Sequence, residues 1–382
     1  MKRKILIIAN PNSIWTKTYI ENVLVNEAFE VYLLGYGEIN KDFLAFYETS
    51  GVHFVFGSCS TNKVRRLIEI FKVKYVVKPD FIHVMYVAIN ACKMADLMLR
   101  KGCKLILSYM GSDIYRVADG DRLNATRFLE KAYAITFPSD KAYDEFKRSF
   151  AISNSRLYDA EFGDQVLDYI SEVSLQEKQT FRSYFGIEKD KYVICIGYNG
   201  NSNQNHIRVL EQFNSLPIET KHNVYILLHV SYGLQDEQYL VMLKDAAEKT
   251  SCSYCINTDF LTYQEMAKFR QCADCYINAQ STDDYSVSLI EYLYAGCTVI
   301  NAKWLKYDRL TRIGITFYEF DDYDEIPTLI KKVVSNVWNC HSVSVNGASL
   351  VKHDLEQLYS WTVCKGMWMN VYNGKGIKFR ED

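Results

Sequence analysis

The sequence has few prolines, no long apolar run and only a small net charge. Five prolines in 382 residues leave little room for a disordered linker. With 48% hydrophobic and 14% aromatic residues, the chain has the composition of a protein that folds throughout. No run approaches the roughly 18 apolar residues of a membrane-spanning helix, and a net charge of −2 argues against bulk binding to nucleic acid. The length indicates two domains of ordinary size.

We expect no export signal, because the apolar part of "MKRKILIIANPNSIW" is only about five residues long. We therefore expect the eleven cysteines to be reduced thiols of a cytosolic protein. The pairs Cys252-x2-Cys255 and Cys272-x2-Cys275 have a spacing that fits a zinc ribbon. However, the flanking segments "SYCINTDF" and "ADCYINAQ" resemble sheet strands, which favours buried thiols, and no metal site is expected.

The charge is spread unevenly. Residues 1–165 contain 23 Lys/Arg and 19 Asp/Glu, about +4, and the remainder contains 21 and 27, about −6. The segment 62–78, "NKVRRLIEIFKVKYVVK", has basic residues between apolar ones at helical spacing and one acid, Glu69. Such a basic amphipathic helix can hold a protein on an anionic membrane surface. An ordinary solvated surface helix is the alternative.

Short apolar segments that end at polar turns alternate with helix-like segments along the chain. The pattern predicts parallel sheets wrapped by helices, an α/β fold with two doubly wound Rossmann-like domains facing across a cleft. The expected division is a first domain over 1–165, a linker over 166–190, a second domain over 191–340, and a C-terminal helix over 341–382 that packs back toward the first domain. Ligands of such sheets bind at the carboxyl ends of the strands.

The segment 281–300, "STDDYSVSLIEYLYAGCTVI", places an acidic loop before an apolar helix. The start of that helix presents free backbone N–H groups at Ser286 to Ser288, a site for an anion. Asp283 before the helix and Glu291 about one turn inside it suit a ligand with hydroxyls on both sides of phosphate. The alternative is that the aspartates cap the helix and Glu291 has a local partner.

The same segment resembles the acid-x7-acid signature of GT-B glycosyltransferases, with Asp283 as the first acid, Glu291 as the second, and Ala295-Gly296 before the next strand. "LILSYMGSDIYR" is similar to the strand end of the acceptor domain in the family-4-like retaining enzymes that build capsule and surface polysaccharides. "ADCYINAQS" and "YSWTVCKGMWMNVY", which resembles the crossover helix of these enzymes, extend the similarity over nearly the whole chain.

The chain departs from this family where an Arg and a Lys usually bind the donor diphosphate. The segment "GYNGNSNQNHIRVL" stands there instead and, like "VSYGLQDEQYL", resembles the 4-acetamido-4,6-dideoxygalactose (Fuc4NAc) transferases. Gly200 and the asparagines can supply backbone and amide donors, and Arg208 can supply charge. The alternative is a flexible loop in which Asn205 caps a helix.

The resemblance implies a metal-independent hexosyltransferase with no cofactor, in which Glu291 binds ribose or donor sugar, Asp283 orients sugar hydroxyls, and backbone amides bind phosphate. Asp113 holds the acceptor hydroxyl, or is the base if the reaction inverts, with a helix cap as its alternative role; Met110 replaces the usual His. The implied donor-binding residues are Asn199, Gly200, Asn203, Arg208, Tyr232, Phe260, Leu261, Tyr285, Ser286, Val287 and Ser288, and the acceptor-side residues are Asn10, Asn12, Gly111 and Ser112.

The implied function is transfer of a sugar, with retention, from a nucleoside-diphosphate sugar to a glycan or polyprenyl-diphosphate-linked acceptor in the synthesis of capsule, O-antigen or another bacterial surface polysaccharide. Its place is the cytoplasm, peripheral to the inner face of the plasma membrane, with no nucleic-acid partner. Two alternatives remain, a sugar-nucleotide epimerase of the same fold and a non-catalytic nucleotide-sugar-binding scaffold. The first strand-helix turn, "IIANPNSI", has no G-x-G-x-x-G, which argues against a nicotinamide enzyme.

Overall fold

The computed structural model describes residues 2–25, 29–35, 38–55, 63–115, 119–234, 236–283, 285–339 and 345–379, of which 63–66, 119–123, 336–339 and 345–350 are described by their backbone. The chain forms two compact units. Unit 1 comprises Met1–Gly163 and Trp361–Asp382, and unit 2 comprises Asp164–Ser360.

Unit 1 is built on a parallel sheet. Its strands in the described part of the chain are β1 (Arg3–Ile8), β2 (Phe29–Leu34), β3 (His53–Val55), β4 (Phe81–Met85), β5 (Lys104–Ser108), β6 (Ala134–Thr136) and β7 (Leu157–Tyr158). They lie in the order β3-β2-β1-β4-β5-β6-β7. Strands such as β4 are buried along their whole length because helices cover both faces of the sheet.

The helices of unit 1 that precede unit 2 are α1 (Ile14–Tyr19), α2 (Lys41–Thr49), α3 (Lys63–Lys72), α4 (Ile89–Met98), α5 (Ser112–Tyr115), α6 (Asp119–Leu129) and α7 (Asp140–Ser149). Short π-helical segments, Ile20–Leu24 and Val73–Val77, continue α1 and α3. Strand β1 supplies both faces of the core: Ile5 and Ile7 pack into one buried cluster, and Leu6 and Ile8 pack into another. This alternation is the period of two expected of an extended strand.

Unit 2 repeats the architecture. Its described strands are β8 (Tyr192–Ile196), β9 (Val224–His229), β10 (Ser253–Asn257), β11 (Cys275–Asn278), β12 (Thr298–Ala302) and β13 (Tyr318–Phe320). They form a parallel sheet in the order β10-β9-β8-β11-β12-β13. The sequence prediction of two Rossmann-like α/β domains is therefore confirmed.

The helices of unit 2 begin in the segment 166–190 that we expected to be a linker. They are α8 (Gln165–Glu172), α9 (Leu175–Tyr184), α10 (His206–Phe213), α11 (Ile218–Asn223), α12 (Glu237–Lys249), α13 (Tyr263–Cys272), α14 (Val287–Tyr294), α15 (Asp308–Arg312), α16 (Ile326–Asn339) and α17 (Val345–Tyr359). Helix α8 packs against α13, and its Val166, Leu167 and Ile170 belong to the core of unit 2. The segment is thus part of the domain, because its apolar face has a partner there.

The C-terminal segment forms two helices where one was expected. Helix α17 packs on α14 within unit 2. The chain then returns to unit 1 at Trp361 and forms α18 (Trp361–Asn373), whose Trp368 and Tyr372 are buried in the unit 1 core.

A buried histidine joins α18 to the sheet of unit 1. His83 on β4 lies 3.1 Å from the Tyr372 hydroxyl through Nδ1 and 2.7 Å from Ser108 Oγ through Nε2. Burial lowers the pKa of His83 to about 3, so its imidazole is neutral.

In the described part of the chain, no helix combines the length and the hydropathy that crossing a bilayer requires.

Candidate functional site

The candidate donor site lies at the carboxyl edge of the unit 2 sheet. Because all its paired strands are parallel, the loops that follow them leave from the same edge, where α/β sheets bind ligands. Each predicted donor-side residue lies in one of these loops or on the helix that follows it. The prediction that these residues share one edge agrees with the strand order.

Glu291 has a buried cationic partner that the sequence analysis missed. Arg270, on α13, donates from Nε to Glu291 Oε2 at 2.6 Å. Both side chains are almost fully buried, with 2% of Arg270 and 6% of Glu291 exposed. The signal in the sequence was an arginine on the apolar face of α13, three residues after the buried Ala267. Charged residues are rarely buried without a partner.

Arg270 also fixes two neighbours of Glu291 on α14. Its Nη1 donates to the Tyr292 hydroxyl at 2.8 Å, and its Nη2 donates to Ser288 Oγ at 3.0 Å. The guanidinium lies 4.4 Å from the centroid of the Tyr292 ring, which stacks on Tyr276 with centroids 4.2 Å apart. One guanidinium therefore holds the first turns of α14 through three side chains.

A second buried carboxyl lies in the electrostatic reach of this pair. Asp164 accepts from the Val166 amide through Oδ1 at 2.9 Å, whereas its buried Oδ2 has no hydrogen-bond partner among the described residues. Burial, and then the charge of Glu291, raises the pKa of Asp164 well above its ordinary value. Burial also raises the pKa of Glu291, and Arg270 opposes that shift. The charge of Arg270 opposes the rise for Asp164 as well, so one guanidinium influences two buried carboxyls.

Asp283 is half-buried, and two side chains donate to its Oδ2. Its Oδ2 accepts from Gln280 Nε2 at 2.6 Å and from the Tyr307 hydroxyl at 2.8 Å. Tyr307 also accepts from Asn278 Nδ2 at 2.8 Å. Gln280 follows β11 and Tyr307 follows β12, and together they fix the orientation of the Asp283 carboxylate.

A row of buried amide side chains supports Asp283. Gln204 Nε2 donates to Gln280 Oε1 at 3.1 Å, and Gln280 Nε2 lies 3.3 Å from Asn278 Oδ1. Asn278 Nδ2 donates to Asn301 Oδ1 at 3.0 Å. Each of these four side chains is at most 1% exposed. Burying them costs free energy of folding unless their donors and acceptors are hydrogen-bonded. It extends across the ends of β8, β11 and β12, and the sequence analysis did not find it.

The Asn-rich loop after β8 is bonded at several points and is not an isolated loop. Asn199 Oδ1 accepts from the Asn201 amide at 2.9 Å, and the Gly200 amide donates to the Tyr232 carbonyl at 2.7 Å. The Asn203 carbonyl accepts from the Ser281 amide at 2.8 Å. The loop is therefore hydrogen-bonded to the loops after β9 and β11.

Asn205 is the N-cap residue of α10, as the flexible-loop alternative supposed, but its side chain has other partners. It occupies the N-cap position with φ of 57° and makes no side-chain cap hydrogen bond. Its Nδ2 instead donates to the Ala279 carbonyl at 2.8 Å and to Ser281 Oγ at 3.1 Å. The side chain thus joins the loop after β8 to the loop after β11.

The remaining donor-side residues differ in exposure. Phe260 is 80% exposed after the edge strand β10, and Tyr232 is 50% exposed after β9. Leu261 packs against the unit 2 core. The guanidinium of Arg208 lies 4.0 Å from the centroid of the Tyr323 ring. Arg208 is exposed on α10 and forms no ion pair with a described residue.

The start of α14 has the geometry expected of an anion site. Ser286 is the N-cap, and its hydroxyl accepts from the Leu289 amide at 3.3 Å. Among the described residues, no group accepts from the amides of Val287 and Ser288. Tyr285 packs edge-on against Tyr359, with centroids 5.8 Å apart. Two amides at a helix N-terminus can bind a phosphate oxygen.

In unit 1, Asp113 bridges the loops after β4 and β5. Its Oδ2 accepts from the Val87 amide at 2.6 Å, and its Oδ1 accepts from the Met110 amide at 2.8 Å. Burial raises the pKa of Asp113 to about 6, and these backbone hydrogen bonds oppose the rise. Both oxygens accept from backbone donors, which gives Asp113 a structural role, and its roles toward an acceptor stay predictions.

The neighbours of Asp113 have unusual backbone conformations. Gly111 has φ of 105°, and Tyr86, at the end of β4, has φ of 78°, which is rare for a bulky residue. Ser112 Oγ lies 3.3 Å from the Tyr86 hydroxyl. Strained residues of this kind concentrate at functional sites.

The acceptor-side asparagines contact their own surroundings. Asn10 Oδ1 accepts from the Asn12 amide at 3.0 Å. Asn12 donates from Nδ2 to the Glu38 carbonyl at 2.8 Å and accepts from the Asn40 amide at 2.8 Å. Asn12 therefore fixes the loop after β1 to the chain that precedes α2.

The cysteine pairs do not converge. Cys255 lies on β10 and Cys275 on β11, and two strands, β9 and β8, separate them in the sheet. At about 4.8 Å per strand, the two thiols are too far apart to share a zinc ion. Within the described ranges, no group of three or more His, Cys, Asp or Glu side chains is placed to hold a metal ion.

Comparison with solved structures identifies the fold. A glycosyltransferase from Rickettsia africae is 13% identical with a TM-score of 0.78, covering 98% of each chain. HepE from Anabaena in complex with UDP is 10% identical with a TM-score of 0.73, covering 98% of this chain and 100% of that one. WaaG, a glycosyltransferase involved in lipopolysaccharide biosynthesis, is 12% identical with a TM-score of 0.63, covering 97% and 100%.

These proteins share the two-domain α/β architecture of GT-B glycosyltransferases, and this chain has that fold. No protein-family model and no curated protein matches its sequence. At such low identity the likeness defines the fold, and the function depends on the site.

Proposed function

We propose that this chain is a glycosyltransferase that uses a nucleoside-diphosphate sugar. The observation that carries the proposal is the start of α14, where the amides of Val287 and Ser288 have no acceptor among the described residues and Asp283 and Glu291 are both held in place. In this proposal the amides bind phosphate, Asp283 orients sugar hydroxyls, and Glu291 accepts from ribose or sugar. Structures of HepE with UDP and with UDP-glucose support a nucleotide-sugar donor.

The finer assignment rests on the sequence resemblance. We propose a metal-independent, retaining hexosyltransferase of the family-4-like type, with a donor site similar to that of the Fuc4NAc transferases. Its acceptor is a glycan or a polyprenyl-diphosphate-linked sugar in surface polysaccharide synthesis, at the inner face of the plasma membrane. If the reaction inverts, Asp113, with a pKa of about 6, is the base to test.

Thermal unfolding of the full chain with UDP, dTDP, GDP and ADP tests the donor site. A nucleotide at 100 times its dissociation constant adds about 2.7 kcal/mol to the folded state, which gives a clear rise in Tm. We expect Glu291→Gln to lose most of this rise, and Glu211→Gln, an exposed acid on α10, to keep it. No rise with any of the four nucleotides would contradict the proposal.

Turnover separates the enzyme classes. A transferase needs an acceptor for full turnover and slowly hydrolyses its donor without one. An epimerase of this fold would convert its nucleotide sugar fully with no acceptor present. A scaffold would bind nucleotide without either reaction, and product analysis by NMR of the sugar anomeric proton distinguishes the three.

A further inference from the structure

Helix α3 and the π-helical segment after it have an apolar face on each side. On the inner side, Ile70 and Val73 are buried in the core of unit 1. On the outer side, Leu67, Ile68 and Phe71 are 54%, 59% and 59% exposed. A surface helix is normally polar on the side away from the core.

The outer residues form one continuous stripe. At about 100° per residue, Leu67, Ile68 and Phe71 of α3 fall within an arc of roughly 100°, and Tyr75 in the π-helical segment continues the row. Tyr75 is 57% exposed, and its ring stacks on Phe71 with centroids 5.6 Å apart. We call these four residues the outer stripe. Val76 is 70% exposed, and Leu97 on α4 is 52% exposed.

Basic residues surround the outer stripe. Lys72 is exposed beside it, and Lys78 is exposed beyond its C-terminal end. Lys74 Nζ donates to the Leu97 carbonyl at 3.1 Å, which connects the stripe to α4. Residues 63–78 carry six Lys/Arg and one acid, about +5, in a chain whose net charge is −2. The side chains of Lys63, Arg65 and Arg66 lie outside the described residues.

We propose that the outer stripe inserts into the interface of an anionic lipid bilayer. The apolar side chains explain the insertion into the bilayer interface. The nearby lysines explain the preference for anionic lipid, because each basic residue near an anionic membrane favours binding about fivefold. This argues against the solvated-helix alternative for residues 62–78, since a solvated helix does not need four large exposed apolar residues. The stripe identifies the residues of the membrane contact and does not depend on the nucleotide-sugar site.

Vesicle sedimentation of the full chain tests this assignment. We expect the wild type to sediment with vesicles of phosphatidylglycerol and phosphatidylcholine, and to bind pure phosphatidylcholine vesicles at least about tenfold more weakly. Phe71→Ser with Tyr75→Ser should weaken binding to the anionic vesicles by about tenfold or more, because two inserted rings are lost. Raising the salt concentration should weaken the binding of the wild type as well.

The matched control is Tyr184→Ser. Tyr184 is also an exposed aromatic residue on a helix, 68% exposed, and it stacks on Phe181 with centroids 5.8 Å apart. This variant should sediment like the wild type. Circular dichroism and the rise in Tm with UDP show independently whether each variant folds and whether the donor site works.

Three results would overturn the assignment. The wild type could fail to bind anionic vesicles, it could bind both vesicle types equally, or the double variant could bind as tightly as the wild type. A concentration-dependent dimer without lipid that Phe71→Ser abolishes would assign the stripe to a second copy of the chain instead. Loss of UDP binding with intact vesicle binding would count against the proposed function alone.

Discussion

Arg270 Nε lies 2.6 Å from Glu291 Oε2, and both side chains are almost completely removed from solvent. The pair joins α13 to α14, whose first amides form the proposed phosphate site. The Arg and Lys that bind the donor diphosphate in the enzymes that this sequence resembles are missing from the loop after β8. Arg270 is a buried cation beside α14. Burial raises the pKa values of Tyr198 and Tyr232 at the ends of β8 and β9, and the charge of Arg270 opposes both rises.

Removing Arg270 should destabilise the protein strongly. In Arg270→Met, Glu291 keeps a buried carboxylate without its cation, and we expect the free energy of unfolding to fall by about 3–5 kcal/mol. Adding Glu291→Gln should recover part of that loss, because the unpaired charge is then removed. Urea denaturation measures both values. Lys249→Met, at an exposed pair with Asp245 of the same 2.6 Å length, should change stability little; an equal loss there would argue against burial as the cause.

Tyr307→Phe should weaken donor binding. The substitution removes the hydroxyl that donates to Asp283 Oδ2 at 2.8 Å and accepts from Asn278. We expect about 1–3 kcal/mol of lost stability from the unpaired amide and, because Asp283 is no longer oriented, a roughly tenfold higher KM for the nucleotide sugar. Isothermal titration and initial rates measure these effects. Tyr323→Phe removes a buried hydroxyl that donates to the Ala279 carbonyl at 3.1 Å, and its KM should stay unchanged.

Asp113→Asn should alter how stability depends on pH. The pKa of Asp113 is about 6 in the folded chain and near 3.8 when unfolded, so between these values the folded state binds the extra proton. The wild type should therefore gain stability relative to the variant as pH falls from 7 to 4, by about 1.4 kcal/mol per unit in the middle of that range. Urea denaturation at several pH values measures the difference.

Gly197→Ala should disturb the loop after β8. Gly197 has φ of 62°, and a Cβ there would lie 2.5 Å from His206 Nε2. Gly51→Ala is the control, because its φ of 69° gives the same backbone cost with nothing within 4 Å of the new Cβ. We expect Gly51→Ala to lose about 1–2 kcal/mol of stability, and Gly197→Ala to lose more and to show a smaller rise in Tm with UDP. If the two variants lose the same stability, His206 moves away from the new Cβ at no cost in free energy.

The sequence predicted the two parallel sheets well. Segments such as "KILIIA" and "KYVICIGYNG" are apolar throughout because both faces of a parallel strand are covered. The boundary between the two domains was less predictable. The segment 166–190 is polar on average, yet Val166, Leu167 and Ile170 put one apolar face of α8 into the unit 2 core. A short amphipathic helix in a charged segment is easily taken for a linker.

The proposed roles of the site residues stay predictions, but their surroundings are now described. Sequence spacing located Asp283 and Glu291 relative to α14. It gave no information on Gln280, Tyr307 or the buried Asp164. The acid-x7-acid pattern is local in the chain, whereas Tyr307 and Arg270, which hold its carboxylates, come from other segments.

The sequence by itself determined the α/β class, the parallel sheets and the helix start between Asp283 and Glu291, because these follow from local periodicity and from the apolar character of buried strands. Only the tertiary structure decided which group neutralises Glu291. Arg270 precedes it by 21 residues, and the two side chains meet because α13 packs against α14. A buried charge needs a partner at bonding distance, and packing rather than sequence order supplies it.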